Sequence, residues 1–475
     1  MVIDIVKIRA DGDYLRLWEV IPEDFLSLDL MDLMRNSLSP TIRSVLIEYP
    51  YVDKDYRSTY YGFYSKRHRE YGKFCFRLHF FEDDLESPED LRKVSSGYLG
   101  SMVLRPTEVT PLGRTLLSPN AIAGFKGFVA EASFENNLMG IPLKGKTFPH
   151  IRQDTDVTVC AHAVCWMIAR YYSEKYSVYP ERLSFDIAQA VKDLSEGRII
   201  PSRGLTLGQV SEVLASIGFY PEIFVKDLYD DSDFFYDLLY CYVESGIPLV
   251  GAGKEHAVAI FGHGPLRPAT EICRDMHDSF VSARHCIGRL VINDDNRMPF
   301  FSLPGKSEPS SNRGLNALED VTSFIVPQYE KMYLNAENVL KLYPKLASGD
   351  LLEIPERQYV LRVYMTSSRS YKREIRQSSD IDVKMRQAQI ELPMPKFIWV
   401  IEMAAPEHYD QKKCDFRWIV DATANQYESM PFLVIHDKRN LILHDRAVTG
   451  EIYRMGFSTE MEPFFLYENN LRRYQ

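Results

Sequence analysis

Four residues have the types and local settings that nucleophilic catalysis requires: Gln153, Cys160, His256 and Asp294, in that order. Cys160 lies where the polar run Gln153–Thr158 passes into a stretch in which Ala161, Val164, Ile168 and Tyr171 recur at three- and four-residue steps. That spacing predicts a helix, with Thr158 as its N-cap. A thiol in a first helical turn feels the positive end of the dipole and the free backbone N–H groups. Both favour the thiolate, which is the nucleophilic form. Gln153, seven positions upstream, is placed to offer a side-chain N–H to an oxyanion formed beside the sulfur. His256 opens the strand-like run His256-Ala-Val-Ala-Ile-Phe-Gly262, at a loop edge where an imidazole can be reached. Asp294 follows the strand-like Arg289-Leu-Val-Ile-Asn293, in a cluster with Asn293 and Asp295. Nucleophile, base and orienting carboxylate are the parts of a thiol enzyme.

The set resembles the papain-like cysteine peptidases. Within them it is most similar to the group that includes the bacteriocin-leader (double-glycine) processing peptidases. The resemblance is carried by Gln153…Cys160, by Ser245-Gly-Ile-Pro-Leu-Val ahead of His256-Ala-Val-Ala-Ile-Phe-Gly, and by Asp294-Asp…Pro299-Phe. Gly204-Leu-Thr followed by Val210, Leu214 and Gly218 fits the helix that such domains place between nucleophile and histidine. The match spans residues 146–305. It implies a papain-like core in which the nucleophile helix packs on an antiparallel sheet. It implies a Cys160–His256–Asp294 triad, with Gln153 and the Cys160 backbone N–H at the oxyanion. The implied activity is hydrolysis of a peptide or isopeptide bond in a protein or peptide substrate, with no cofactor and no metal. The chain departs from the family in three ways. Gln153 lies one residue further from the cysteine than is common, Ala161 replaces a glycine, and residues 264–288 form an insertion. Asn293 and Asp295 stand as alternatives to Asp294. The same constellation also runs acyl transfer to other acceptors, so a transglutaminase- or deamidase-like activity is the alternative enzyme reading. The non-catalytic alternative is a binding or sensor protein of a bacterial conflict system.

Other reactive side chains have plainer readings. Cys165 falls among apolar neighbours and reads as core packing. His162, two residues after Cys160, points elsewhere on the helix and reads as a surface or supporting histidine. His263 is the nearest competitor to His256, past the strand end. Cys273, His277, His285 and Cys286 fall close together, but not at a standard zinc spacing. Arg105 and Arg114 flank a Pro-containing turn and read as bridges between elements rather than anion ligands.

At 475 residues the chain suggests two to four domains. The elements predict a mixed α+β protein: an N-terminal unit over 1–145, the thiol-enzyme core over 146–305, a linker over 306–329, and a strand-rich α+β unit over 330–475. The net charge of −10 argues against a general nucleic-acid binder. There is no signal-peptide pattern and no apolar run of transmembrane length. The seven scattered cysteines are not a disulfide framework. These features point to the cytoplasm, with a regulatory protein as a further possible partner.

Overall fold

The computed structural model describes residues 2–475 apart from 108, 155, 193–198, 203, 307–314, 348–350 and 458–461. It is a mixed α+β structure built on three main sheets. The N-terminal sheet is antiparallel. Its strands run in spatial order Val2–Lys7, Ser44–Tyr51, Cys75–Phe81, Tyr98–Leu104, Leu112–Leu117 and His150–Ile151. The central sheet orders Tyr220–Val225, Ser323–Gln328, Leu249–Gly253, His256–His263, Arg289–Asn293 and Phe301–Pro304, with every neighbour antiparallel. The C-terminal sheet orders Phe280–Ser282, Tyr359–Ser367, Phe397–Ala404, Phe416–Asp421, Phe432–His436, Asn440–His444 and Ile452–Gly456. Among the described residues no helix is long and apolar enough to cross a membrane.

The helix that begins at the candidate nucleophile spans Cys160–Lys175, and every residue from Ala161 to Tyr172 is buried. A one-sided apolar stripe would leave its other face in water. Here the central sheet covers one side. The helices Ser184–Gln189 and Leu207–Ile217 and the hairpin Ala132–Leu138/Ile141–Thr147 cover much of the rest. The N-terminal unit grips the same helix through Asp55. Its Oδ1 accepts from Trp166 Nε1 at 2.7 Å, and from Ser184 N at 3.2 Å and Oγ at 3.3 Å. Helix Leu207–Ile217 has the ends its sequence predicts. Thr206 and Gln209 cap it reciprocally, and Gly218 closes it at φ 110°, a conformation costly for any residue with a Cβ.

The units share sheets instead of following one another along the chain. Residues 323–328, assigned by composition to a linker over 306–329, form a buried strand between Tyr220–Val225 and Leu249–Gly253. The apolar run Phe324-Ile-Val326 is short and flanked by polar residues, so a composition window averages it away. Residues 307–314 of that expected linker lie outside the described residues. Phe280–Ser282, inside the 264–288 insertion, pairs in parallel with Tyr359–Ser367 of the C-terminal unit. The strand Gly127–Val129, from the N-terminal unit, pairs with both His256–His263 and the terminal Arg472–Tyr474. One apolar core runs from Phe224 and Phe324 to Trp399 and Trp418, so the central and C-terminal units are packed as one body.

Candidate active site

The loop ahead of Cys160 is shaped by buried polar groups. Arg105 donates to the carbonyls of Thr110 and Leu112, each at 2.9 Å, and of Arg152 and Gln153, each at 3.3 Å. Thr110 Oγ1 donates to the same Gln153 carbonyl at 2.6 Å. Asp154 Oδ1 then accepts from the backbone N–H groups of Val157 and Thr158, each at 2.8 Å, and turns the chain. Thr158 is therefore not the N-cap. Its Oγ1 accepts from Asp154 N at 3.2 Å inside this turn. Val159, extended at φ −117°, holds the cap position, and its N–H donates to His162 Nδ1 at 3.4 Å. A carboxylate outcompetes a hydroxyl for nearby N–H donors, so Asp154 organises the loop. Cys160 is left as the first helical residue, partly exposed.

His256 and Asp294 meet it from two strands of the central sheet. His256 Nε2 donates to Asp294 Oδ1 at 2.9 Å, and the Cys160 thiol is near enough to the ring to favour its charged form. Burial pushes the imidazole towards its neutral form. The Asp294 and Cys160 hydrogen bonds and the two carboxylate charges outweigh this and hold His256 up at about 10. Burial also opposes the Asp294 anion, but the His256 bond and charge, the Asn296 N–H and Arg297 together hold it below the ordinary carboxylate value. Asn296 N donates to Oδ1 at 2.9 Å, and Arg297 Nε lies 3.3 Å from Oδ2.

The carboxylate loop is zipped to the strand before Gln153. His150 Nε2 donates to the Asp294 carbonyl and Arg152 Nε to the Asp295 carbonyl, each at 3.1 Å. Burial lowers His150 to about 4, so it acts as a neutral donor. Asn293 is not the orienting group. Its Nδ2 donates to the Pro149 carbonyl at 3.0 Å and its Oδ1 accepts from Phe300 N at 2.8 Å. These contacts fix Gln153, half-buried, by its backbone, in the same loop as Cys160 and beside the Asp294 turn. None of the residues of this frame, Arg105, Thr110, His150, Arg152 or Asp154, was singled out in the sequence as part of a site. Only Arg297, three residues after Asp294, had a local signal, in its proximity to the carboxylates.

Asp295 faces the same imidazole from further away. Its Oδ1 lies 3.8 Å from His256 Nε2, it is fully buried, and neither carboxylate oxygen has a hydrogen-bond partner. Burial, against the pull of His256, raises its carboxyl to about 7. The folded protein thus keeps a proton that the unfolded chain releases near its ordinary value of about 4. Stability contributed by that proton falls as pH rises from about 4 through 7. Asp295→Asn is expected to gain stability over the natural chain by an amount that grows across this window, to about 2–4 kcal/mol at pH 8. Urea unfolding at pH 5 and pH 8 measures it; an equal difference at both would refute the assignment.

The competing residues lie elsewhere. His263 sits at the opposite end of the strand, roughly 23 Å away along seven residue steps. Its Nε2 is 3.2 Å from Glu244 Oε2, and its Nδ1 is 2.8 Å from the Gly264 carbonyl. His162, against its reading as a possible surface residue, is buried, lowered to about 4 by burial, and serves the helix cap. Cys165 is in the core, its thiol pushed up to about 12 by burial. Arg105 bridges loops as described, and Arg114 bridges Asp53 and Tyr51, each at 2.8 Å. Cys273 and Cys286 are buried in an apolar cluster while His277 is exposed. The convergent potential ligands among the described residues are instead His256, Asp294 and Asp295, within 4.8 Å of one another. The arrangement is suited to moving a proton between sulfur and imidazole. Comparison with protein-family models, curated proteins and solved structures finds no match to this chain.

Proposed function

We propose that the protein is a papain-like thiol hydrolase that cleaves a peptide or isopeptide bond through Cys160, His256 and Asp294. One observation carries the reading: a helix start, a strand start and a strand end bring a thiol, an imidazole and a carboxylate together, with His256 hydrogen bonded to Asp294 and influenced by Cys160. Cys160 attacks the carbonyl carbon as its proton rests on His256. The new oxyanion takes N–H donors from the Cys160 backbone and Gln153. Collapse breaks the C–N bond, His256 gives its proton to the leaving amine, and water attacks the thioester with His256 as base. Asp294 holds the ring and offsets its charge throughout. The substrate is a protein or peptide, and the free thiol suits a reducing compartment such as the cytoplasm.

Alkylation by iodoacetamide, read by mass spectrometry of the native chain, tests this. Cys160 is partly exposed, whereas the other six cysteines are buried. Burial raises the thiols of Cys75, Cys165, Cys241, Cys273, Cys286 and Cys414. Near pH 6 one label is expected, on Cys160, and none in Cys160→Ala. Labelling of Cys160 at pH 6 no faster than that of a free thiol such as glutathione would sink the proposal.

A further inference from the structure

Beyond the far end of the His256–His263 strand lies a cleft of about 670 Å³ that the proposed hydrolysis leaves unused. Its walls are the strands Gly127–Val129 and Arg472–Tyr474, the turn 265–268, and helix Pro406–Asp410 with the nearby Lys412. The turn belongs to the 264–288 insertion, which the thiol-enzyme core does not require. Gly262 allows the walls to close, since a Cβ there would meet the Phe128 carbonyl at 2.2 Å.

The cleft is basic in a chain of net charge −10. Lys126, Arg267, Lys412 and Arg473 line it. Lys412 pairs with Glu468 at 2.7 Å, and Arg267 donates to the His285 carbonyl at 2.6 Å. Lys126 and Arg473 have no ion-pair partner among the described residues; Arg473 lies over the Phe128 ring at 5.8 Å. Asp410, the acidic side chain lining this cleft, is already engaged. It accepts from Ala269 N at 2.6 Å and from Thr270 N and Oγ1 at 3.2 and 2.7 Å. The apolar wall is aromatic, formed by Phe128, Tyr409 and Tyr474.

Phe128, Leu266, Tyr409 and Lys412 also line a recess of about 60 Å³ behind the cleft. That is room for about two waters or one small polar substituent, too little for a ring. Glu244, His263, Arg362, Glu468 and Asn470 form its polar wall with Lys412. Glu244 is 6% exposed, and its Oε2 has His263 Nε2 at 3.2 Å and no other donor among the described residues. A carboxylate oxygen accepts two donors, so Glu244, which lines the recess, keeps a lone pair for an N–H from a ligand.

We propose that this cleft binds a nucleoside phosphate carrying an exocyclic amino group on its base. The phosphate lies against Lys126, Arg267 and Arg473, where guanidinium and ammonium groups match its charge and geometry. The base lies on the Phe128–Tyr409 wall, as planar rings do on aromatic side chains. Its amino group points into the recess at Glu244. This site is independent of the chemistry at Cys160.

Calorimetric titration of the full chain with AMP, UMP and pyrophosphate tests it, with the Lys126→Ala/Arg473→Ala variant as control. Both substituted side chains are exposed, and circular dichroism verifies the variant's fold. AMP is expected to bind saturably, at least about tenfold more weakly in the double variant, and more weakly at raised salt. UMP, which lacks the amino group, is expected to bind AMP's site at least about fivefold more weakly. Absence of saturable AMP binding at millimolar concentration overturns the proposal, as does AMP affinity unchanged in the double variant. Pyrophosphate binding as tightly as AMP reduces the cleft to an anion patch and overturns the nucleoside assignment. Equal affinity for AMP and UMP overturns the role given to Glu244.

Discussion

His256→Ala is expected to slow alkylation of Cys160 at pH 6 by about tenfold to a hundredfold. An ordinary thiol has a pKa of about 8.5, so at pH 6 well under about one in a hundred is ionised. In the folded protein the sulfur neighbours an imidazole whose cation is favoured by the Asp294 hydrogen bond and the Asp294 and Asp295 charges. In the proposed thiol enzyme that cation is what activates the sulfur, and its removal slows alkylation. The full gain in ionisation is not realised as rate, because a stabilised thiolate is a weaker nucleophile, with a Brønsted slope of about 0.4–0.5. The expected factor allows for that loss. Asp294→Ala gives a smaller effect in the same direction. Its hydrogen-bonded carboxylate does most to favour the His256 cation, but Asp295 and the neighbouring Cys160 remain. The measurement is the labelling rate between pH 5 and 9. The ion pair predicts that the natural chain and His256→Ala converge at high pH, where any thiol is ionised. A constant ratio at all pH values would mean that His256 only shapes access to the sulfur.

Arg362→Met is expected to cost about 3–5 kcal/mol of stability. Arg362 is 7% exposed and bridges the central and C-terminal units. Its Nε donates to Glu244 Oε1 at 2.8 Å, and Nη2 bonds to the same oxygen. Its Nη1 donates to Glu402 Oε2 at 2.8 Å and to the Tyr467 carbonyl at 2.7 Å. Methionine fills most of the volume but leaves two buried carboxylates. Glu402 keeps Arg417 at 2.7 Å and the Tyr467 N–H at 3.1 Å. Glu244 keeps only His263 Nε2, 3.2 Å from its Oε2. Burial pushes the Glu244 carboxyl up, but the Arg362 charge and His263 outweigh it and hold it down at about 2. The natural chain therefore keeps this contribution above the unfolded carboxylate value of about 4.3 and loses it as pH falls towards 2. In the variant burial prevails, and stability falls as pH rises above about 4. Denaturant unfolding at pH 7 gives the loss, and adding Glu244→Gln should recover part of it. A loss under about 1 kcal/mol, with no recovery, would show that the bridge is solvated.

Much of the site can be read from local pattern. The helix start at Cys160, the strand opening at His256 and the strand ending at Asn293 follow from residue periodicity and from loop and turn residues, which act over a few positions. The same holds for helix Leu207–Ile217, whose caps are both local. The N-cap falls at Val159 and not at the expected Thr158 because the Thr158 hydroxyl has two local choices. The outcome depended on Asp154, four residues back, capturing the loop N–H groups first.

What the amino-acid order determined by itself is the set of elements and the chemical inventory: a thiol in a first helical turn, an imidazole at a strand edge, and three carboxylate or amide side chains in one turn. Tertiary structure decided which of those three faces the ring. Asn293 is taken by Pro149 and Phe300, and Asp294 reaches the imidazole at 2.9 Å against 3.8 Å for Asp295. Tertiary structure also turned a presumed linker into the buried strand Ser323–Gln328 and let strands from both ends of the chain complete the central sheet. The physical reason is the range of the forces that choose. Periodicity and capping are satisfied within one turn of chain. The partners that select Asp294, bury Asp295 and place the basic cleft lie in other elements, joined only when apolar faces are removed from water together.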